Sequence, residues 1–177
     1  GEPMLHKNIM EFLTDSKNLS GTMVTLTTNG TLLNNKNIEQ LIDTDIDIVD
    51  ISIDAYHDET YERIRHGSLN ITRKNVENLI KTINDVGSNL KVVVSYIEQP
   101  ENLDETDLFK QYWKTEGASK VVVRAYHSCS GAKVEMANRF RDQQVNMVRR
   151  PCLYPWERIV LNEQGYLSFC PQDWYAL

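Results

Sequence analysis

Short β-branched runs alternate along the chain with stretches whose apolar positions recur every three or four residues. Leu5, Ile9, Phe12 and Leu13 keep the helical period, and Gly21 then punctuates the chain. Met23 to Thr28 reads as a strand ending at Asn29-Gly30, and Ile38, Leu41 and Ile42 as a short helix. Ile46 to Ile53 is a second strand, rich in isoleucine as a strand covered by helices should be. Asp58 is the expected N-cap of a helix running to Arg65 and stopped by Gly67. Val76, Leu79, Ile80 and Ile83 mark a longer helix closed by Val86-Gly87, and Lys91 to Ile97 is a third strand. Leu108, Phe109, Tyr112 and Trp113 form two i,i+4 pairs on a helix ending at Gly117, before a last strand over Val121 to Tyr126. This alternation of helices and strands predicts a parallel sheet with right-handed crossovers and strands near 22–28, 46–53, 91–97 and 120–126. Four strands are too few to close a barrel, so the expectation is an open sheet or further strands ahead of Gly1.

The pattern changes after residue 127. Residues 128–150 are polar with few residues to bury and read as a linker. Ile159 to Asn162, Glu163-Gln164-Gly165 and Tyr166 to Phe169 read as a β-hairpin with the glycine in its turn. The expected organisation is thus a β/α domain over 1–127, a linker over 128–150 and the start of a hairpin unit over 151–177.

Parity along the strands selects the first chemistry. Residues two apart on a strand share a face. Ile51 and Ile53 should pack under helices, which sends Ser52 and Asp54 together to the opposite side. Thr27 and Asn29 pair in the same way, as do Arg124 and Tyr126, each at the C-terminal end of its strand. Parallel α/β sheets and barrels bind ligands at that rim. One such pair is as readily a turn or helix cap as a ligand group, whereas three strand ends with inward polar residues favour a ligand site. Glu2 could bind an ammonium group there, and Gly1 would let backbone approach a ligand.

Composition narrows the classes. Hydrophobic residues at 41% and charged residues at 25% describe an ordinary globular domain, and the formal charge of -6 argues against a nucleic-acid groove. No apolar run reaches membrane-span length. The three cysteines, Cys129, Cys152 and Cys170, make no disulfide framework and point to a reducing, cytoplasmic setting. Cys152 and Cys170 flank the expected hairpin and could present thiolates to one metal centre, while Cys129 is a spare thiol.

Gly1-Glu2-Pro3, Thr28-Asn29-Gly30, Ile51-Ser52-Ile53-Asp54 and Tyr61-Glu62-Arg63-Ile64-Arg65-His66-Gly67 resemble, in order and context, the radical S-adenosylmethionine enzymes. Cys152, Gly165 and Cys170 resemble the opening of the C-terminal SPASM extension, which holds auxiliary iron–sulfur clusters. The resemblance implies a partial parallel (β/α)6-type barrel followed by the start of a small hairpin domain. It implies that Gly1 and Glu2 contact the methionine amino group of S-adenosylmethionine, that Ser52 and Asp54 lie near its ribose or methionine part, and that Arg65 reaches its carboxylate. Thr27 and Asn29 would face the cofactor or substrate, Arg124 to His127 would lie near adenine or substrate, and Cys152 and Cys170 would be auxiliary-cluster ligands. The implied activity is reductive cleavage of S-adenosylmethionine to abstract a substrate hydrogen, on a peptide or small molecule, with a [4Fe–4S] cluster and an electron-donor protein.

One departure bears on that activity. The family's CxxxCxxC loop precedes the Glu-Pro turn and does not occur in these 177 residues, whose cysteines stand at 129, 152 and 170. The chain opens on Gly1 rather than methionine, so the expectation is a piece of a longer enzyme, inactive by itself. The alternatives are a degenerate barrel that binds a partner or peptide, and a zinc domain completed by His127 or His66. The latter fits no compact zinc spacing.

Overall fold

The computed structural model describes residues 1–126, 153–157, 159–162 and 164–168. The chain divides into two compact units, Gly1–Ala125 and Tyr126–Leu177. The first is an α/β array. A 3-10 turn over Pro3–Leu5 leads into α1 (Ile9–Ser20), β1 (Thr25–Thr28), α2 (Asn35–Asp43), β2 (Ile48–Ser52), α3 (Asp58–Arg65) and α4 (Leu69–Val86). β3 (Lys91–Glu98), a second 3-10 turn at Leu103–Glu105, α5 (Thr106–Thr115) and β4 (Lys120–Ala125) complete it. The strands pair in the order β1-β2-β3-β4, and every pairing is parallel. That is the consecutive β/α array the alternation predicted, and with four strands it is part of a barrel rather than a closed one.

The helix-facing side of the sheet is apolar. Val49, Ile51, Ile53, Val92, Val94 and Tyr96 are buried there with Leu41, Val76, Leu79, Phe109 and Trp113. Each such side chain contributes about 1.5–3 kcal/mol by leaving water. Tyr96, Phe109 and Trp113 form a ladder of ring contacts at 4.5 and 6.3 Å, which docks α5 on β3. The i,i+4 pairing on α5 is accordingly split, with Phe109 and Trp113 buried and Leu108 exposed.

Several boundaries differ from the expectation. α1 starts at Ile9 because Pro3 opens a separate turn whose cap is Glu2. Asp58 opens α3 rather than capping it. The cap residue is His57, and the N–H groups of Tyr56 and His57 donate to the buried Glu105 carboxylate at 2.6 and 3.1 Å. A distant acid thus satisfies donors that a local side chain usually takes. α3 ends at Arg65, where His66 takes a left-handed φ of 55°, one residue before the glycine expected to stop it.

In the second unit α6 (Tyr154–Glu157) precedes β5 (Val160–Leu161) and β6 (Leu167–Ser168), an antiparallel pair with Gly165 in the turn. His127, Cys129, Cys152 and Cys170 lie outside the described residues, so the cysteine expectations are not addressed by them. Among the described residues no helix is long and apolar enough to cross a membrane.

Candidate functional site

The C-terminal ends of β1 and β2 are tied to the start of the chain by one carboxylate. Glu2 Oε1 accepts from Met4 N at 3.0 Å and from Thr28 Oγ1 at 2.7 Å, and Oε2 accepts from Asn29 N at 2.7 Å. Thr28 itself is buried, on the opposite parity to Thr27. Asn29 Oδ1 accepts from Thr31 N at 2.9 Å, an Asx turn that bends the chain away from the sheet. Gly30 comes next with φ 76°, and a Cβ there would stand 3.0 Å from Ile51 Cγ2, so conformation and space both require glycine. The Gly-Glu-Pro and Thr-Asn-Gly motifs are therefore two halves of one hydrogen-bonded corner.

β2 supplies the next group. Its odd-numbered residues are buried under helices, which leaves Asp50 and Ser52 on the open face. The parity that carries Ser52 to the rim stops at Asp54. This residue takes φ 63°, is 3% exposed, and turns its carboxylate to Ile97 N at 2.7 Å and to the Arg65 guanidinium. Its carbonyl accepts from Asn102 Nδ2 at 2.8 Å, and Asn102 Oδ1 in turn accepts from Gln99 N at 2.8 Å. Burial pushes the Asp54 carboxyl above its ordinary value, against the opposing pull of Arg65 and the Ile97 N–H.

Arg65 is the last residue of α3, where its charge also suits the helix C-terminus. One guanidinium nitrogen donates to Asp54, while the buried Nε has no hydrogen-bond partner among the described residues. Gly1, Glu2, Thr27, Thr28, Asn29, Ser52 and Arg65 line one recess of about 340 Å³. The structure thus brings six of the predicted residues together: Gly1, Glu2, Thr27, Asn29, Ser52 and Arg65. It leaves two out of that lining. Asp54, expected beside Ser52, holds Arg65 from behind. Arg124, expected near adenine or substrate, donates to Ser95 Oγ and, at 3.1 Å, to Asp50 Oδ2.

Sequence reasoning missed Asp50, Ser95 and Asn102. Asp50 was within its reach, since it shares parity with Ser52. The others depend on cross-strand register and on a loop packing back under β2. A larger recess of about 520 Å³ lies at the opposite strand ends, among Lys17, Met23, Asp47, Ile48 and Lys91, and carries none of the motif residues. Among the described residues no group of three or more His, Cys, Asp or Glu side chains could hold a metal ion.

A parallel β/α array with polar groups converging at the strand C-termini belongs to the class of α/β folds that bind ligands at that rim. Residues 1–109 match the model of the Radical SAM superfamily, and the chain belongs to that superfamily. It is 32% identical over 84 residues to a protein of Methanococcus aeolicus described as a probable GTP 3',8-cyclase, covering 46% of this chain and 28% of that one. Its fold is similar to that of SuiB from Streptococcus suis. The structure of SuiB bound to the precursor peptide SuiA aligns with a TM-score of 0.62 at 15% identity, over 81% of this chain and 34% of SuiB. SuiB bound to S-adenosylmethionine aligns with a TM-score of 0.59 at 15% identity, over 82% and 35%. The chain spans about a third or less of the length of these relatives.

Proposed function

We propose that the chain is the S-adenosylmethionine-binding core of a radical S-adenosylmethionine enzyme, with the recess at the β1 and β2 ends as the cofactor site. The observation that carries this reading is the buried Nε of Arg65, without a hydrogen-bond partner among the described residues, beside a recess also lined by Glu2, Thr27, Asn29 and Ser52. A zwitterionic amino-acid end needs one acid and one base, and Glu2 and Arg65 supply them. Glu2 Oε2 retains acceptor capacity for the ammonium group, and Arg65 retains donors for the carboxylate. Ser52 offers a hydroxyl to the ribose or methionine part, and Thr27 and Asn29 close the β1 side. The recess volume falls within the range of about 300–1,000 Å³ usual for ligand sites.

With a [4Fe–4S] cluster passing on an electron from a donor, bound S-adenosylmethionine would be cleaved reductively and would supply the group that abstracts a substrate hydrogen. The cluster does not fit this chain, which has no three cysteines within one short loop. Supplied with iron, sulfide and a reductant, these 177 residues should form no 5′-deoxyadenosine. An enzyme carrying the CxxxCxxC loop ahead of Gly1 should form it. The role of this chain's residues is to hold the cofactor by its charged end. The substrate we infer is a peptide or small molecule, a reading supported by the fold likeness to SuiB. The hairpin over β5 and β6 we read as the start of a SPASM-type domain with Cys152 and Cys170 as auxiliary-cluster ligands. In an anaerobically prepared longer enzyme, a Cys152→Ala, Cys170→Ala variant should lose iron, and an unchanged iron content removes them from the ligand set.

Calorimetric titration of the chain with S-adenosylmethionine tests the site. Weak binding should be detected, and Arg65→Gln and Ser52→Ala should each weaken it about tenfold with the far-UV spectrum unchanged. Binding that is absent, or indifferent to both substitutions, overturns the assignment.

A further inference from the structure

The open face of the sheet carries a second polar construction beside the recess. Asp50 on β2, Ser95 on β3 and Arg124 on β4 form a closed triangle. Ser95 Oγ donates to Asp50 Oδ1, and Arg124 donates to Ser95 Oγ through Nη1 and to Asp50 Oδ2 through Nη2. The register makes the triangle continuous with the recess, since Thr27 pairs with Asp50 and Ser52 with Ser95. We propose that this triangle is a substrate-positioning site that recognises an amide group of a peptide. The proposal rests on reading the neighbouring recess as the cofactor site, because what binds beside the cofactor is what its chemistry acts on.

A purely structural role accounts for little of it. The β2-β3 and β3-β4 ladders already hold these strands, and a half-exposed ion pair adds only about 0–1 kcal/mol. The asymmetry of exposure is more informative. The Arg124 side chain is 45% exposed and that of Asp50 15%, so the guanidinium is presented while the carboxylate backs it. Arg124 uses two of its five N–H donors among the described residues and keeps three. Each Asp50 oxygen accepts one bond and keeps a lone pair.

Charge selects the ligand class. Asp50 neutralises Arg124 and stands beside it, so an incoming carboxylate or phosphate would meet a fixed negative charge as well as the cation. A neutral group with one acceptor and one donor meets both partners in their preferred sense. Its carbonyl accepts from Arg124, and its N–H donates to Asp50. An amide is that group.

The test uses the isotope-labelled 177-residue chain, monitored by nuclear magnetic resonance at the Arg124 Nε–Hε and Ser95 backbone signals. N-acetylglycine N-methylamide, a neutral diamide, is titrated in parallel with sodium acetate. The diamide should shift both signals along a saturating curve, with acetate about tenfold weaker. Asp50→Asn and Ser95→Ala should each weaken the diamide about tenfold with the remaining spectrum preserved. Tighter binding by acetate makes the triangle an anion site and overturns the proposal. So does a diamide that moves neither signal, or that binds both variants as it binds the parent. A separate titration with S-adenosylmethionine, read at the Thr27 and Ser52 backbone signals, shows failure of the cofactor reading independently of the Arg124 response.

Discussion

Asp47 and Asp54 bracket β2, one immediately before its first residue and one two residues past its last, and the two carboxylates live in opposite chemistry. Asp47 is partly exposed. It accepts from Lys17 Nζ at 2.7 Å and from Val24 N at 2.8 Å, and these bonds hold its carboxyl below the ordinary value. Asp54 is buried, sits in left-handed backbone, and is pushed above the ordinary value by that burial. The two ends of a parallel strand are thus used differently. At the N-terminal end a partly exposed pair closes the α1-β1-β2 corner. At the C-terminal end a buried acid, a strained turn and a guanidinium nitrogen without a hydrogen-bond partner among the described residues accumulate round a recess. Such costs persist where surrounding structure enforces them, which is characteristic of functional ends of α/β sheets.

The largest effect expected from this contrast is at Asp54. An Asp54→Ala variant leaves the Ile97 N–H without its acceptor and Arg65 without its counter-ion, a loss of about 3 kcal/mol. Asp47→Ala, at the wetter end, should lower the unfolding midpoint far less. Urea unfolding midpoints measure both, and equal losses would dissolve the distinction between the two ends. The Asp54 variant should also lose S-adenosylmethionine binding through its displaced Arg65, and Arg65→Lys should restore little of what Arg65→Gln loses.

Two glycines extend the contrast. Gly21 at the N-terminal end and Gly30 at the C-terminal end both have positive φ, 58° and 76°. A Cβ at Gly21 meets nothing within 4 Å, whereas at Gly30 it meets Ile51, Thr72 and Val76. Gly21→Ala should therefore cost about 1–2 kcal/mol from backbone conformation alone. Gly30→Ala should add overpacking of about 1–3 kcal/mol. Thermal melts of the two variants check the order, and a Gly21 variant less stable than the Gly30 variant would contradict it.

What could be read from the sequence divides along the same lines. The parallel array was legible because burial under helices imposes continuous isoleucine and valine runs, and the open-face position of Ser52 came from Ile51 and Ile53. The turn at Asp54 was not, because a non-glycine residue at positive φ leaves no mark in the periodicity. Glu2 was seen as a rim carboxylate, but its bonds to Thr28 and Asn29 join residues far apart in sequence. Arg124 was placed on the correct strand and face. Its partners Asp50 and Ser95 come only with the register of three strands, which strand prediction alone does not determine.

The smallest effect concerns pH, and its sign separates the two aspartates. Asp54 binds its proton more tightly folded than unfolded. Its contribution to stability therefore falls as pH rises from the unfolded value, near 3.8, through the raised folded value, and is constant above. Asp47 behaves inversely. Its folded value is lowered, so its contribution is fully present above about 3.8 and is lost as pH falls through the folded value. The difference in unfolding midpoint between the parent and Asp47→Asn should thus shrink toward acid. The difference between the parent and Asp54→Asn should shift in the parent's favour over the window above 3.8 as pH falls. Salt divides them again. The partly exposed Lys17–Asp47 pair should weaken as ionic strength rises, whereas the Asp54–Arg65 pair, shielded by Ile97 and Asn102, should respond less. Paired urea titrations at stepped pH and salt measure both dependences. The same pH slope for the two asparagine variants would mean that the buried and exposed ends of β2 share one electrostatic environment, and the contrast drawn from their geometry would fail.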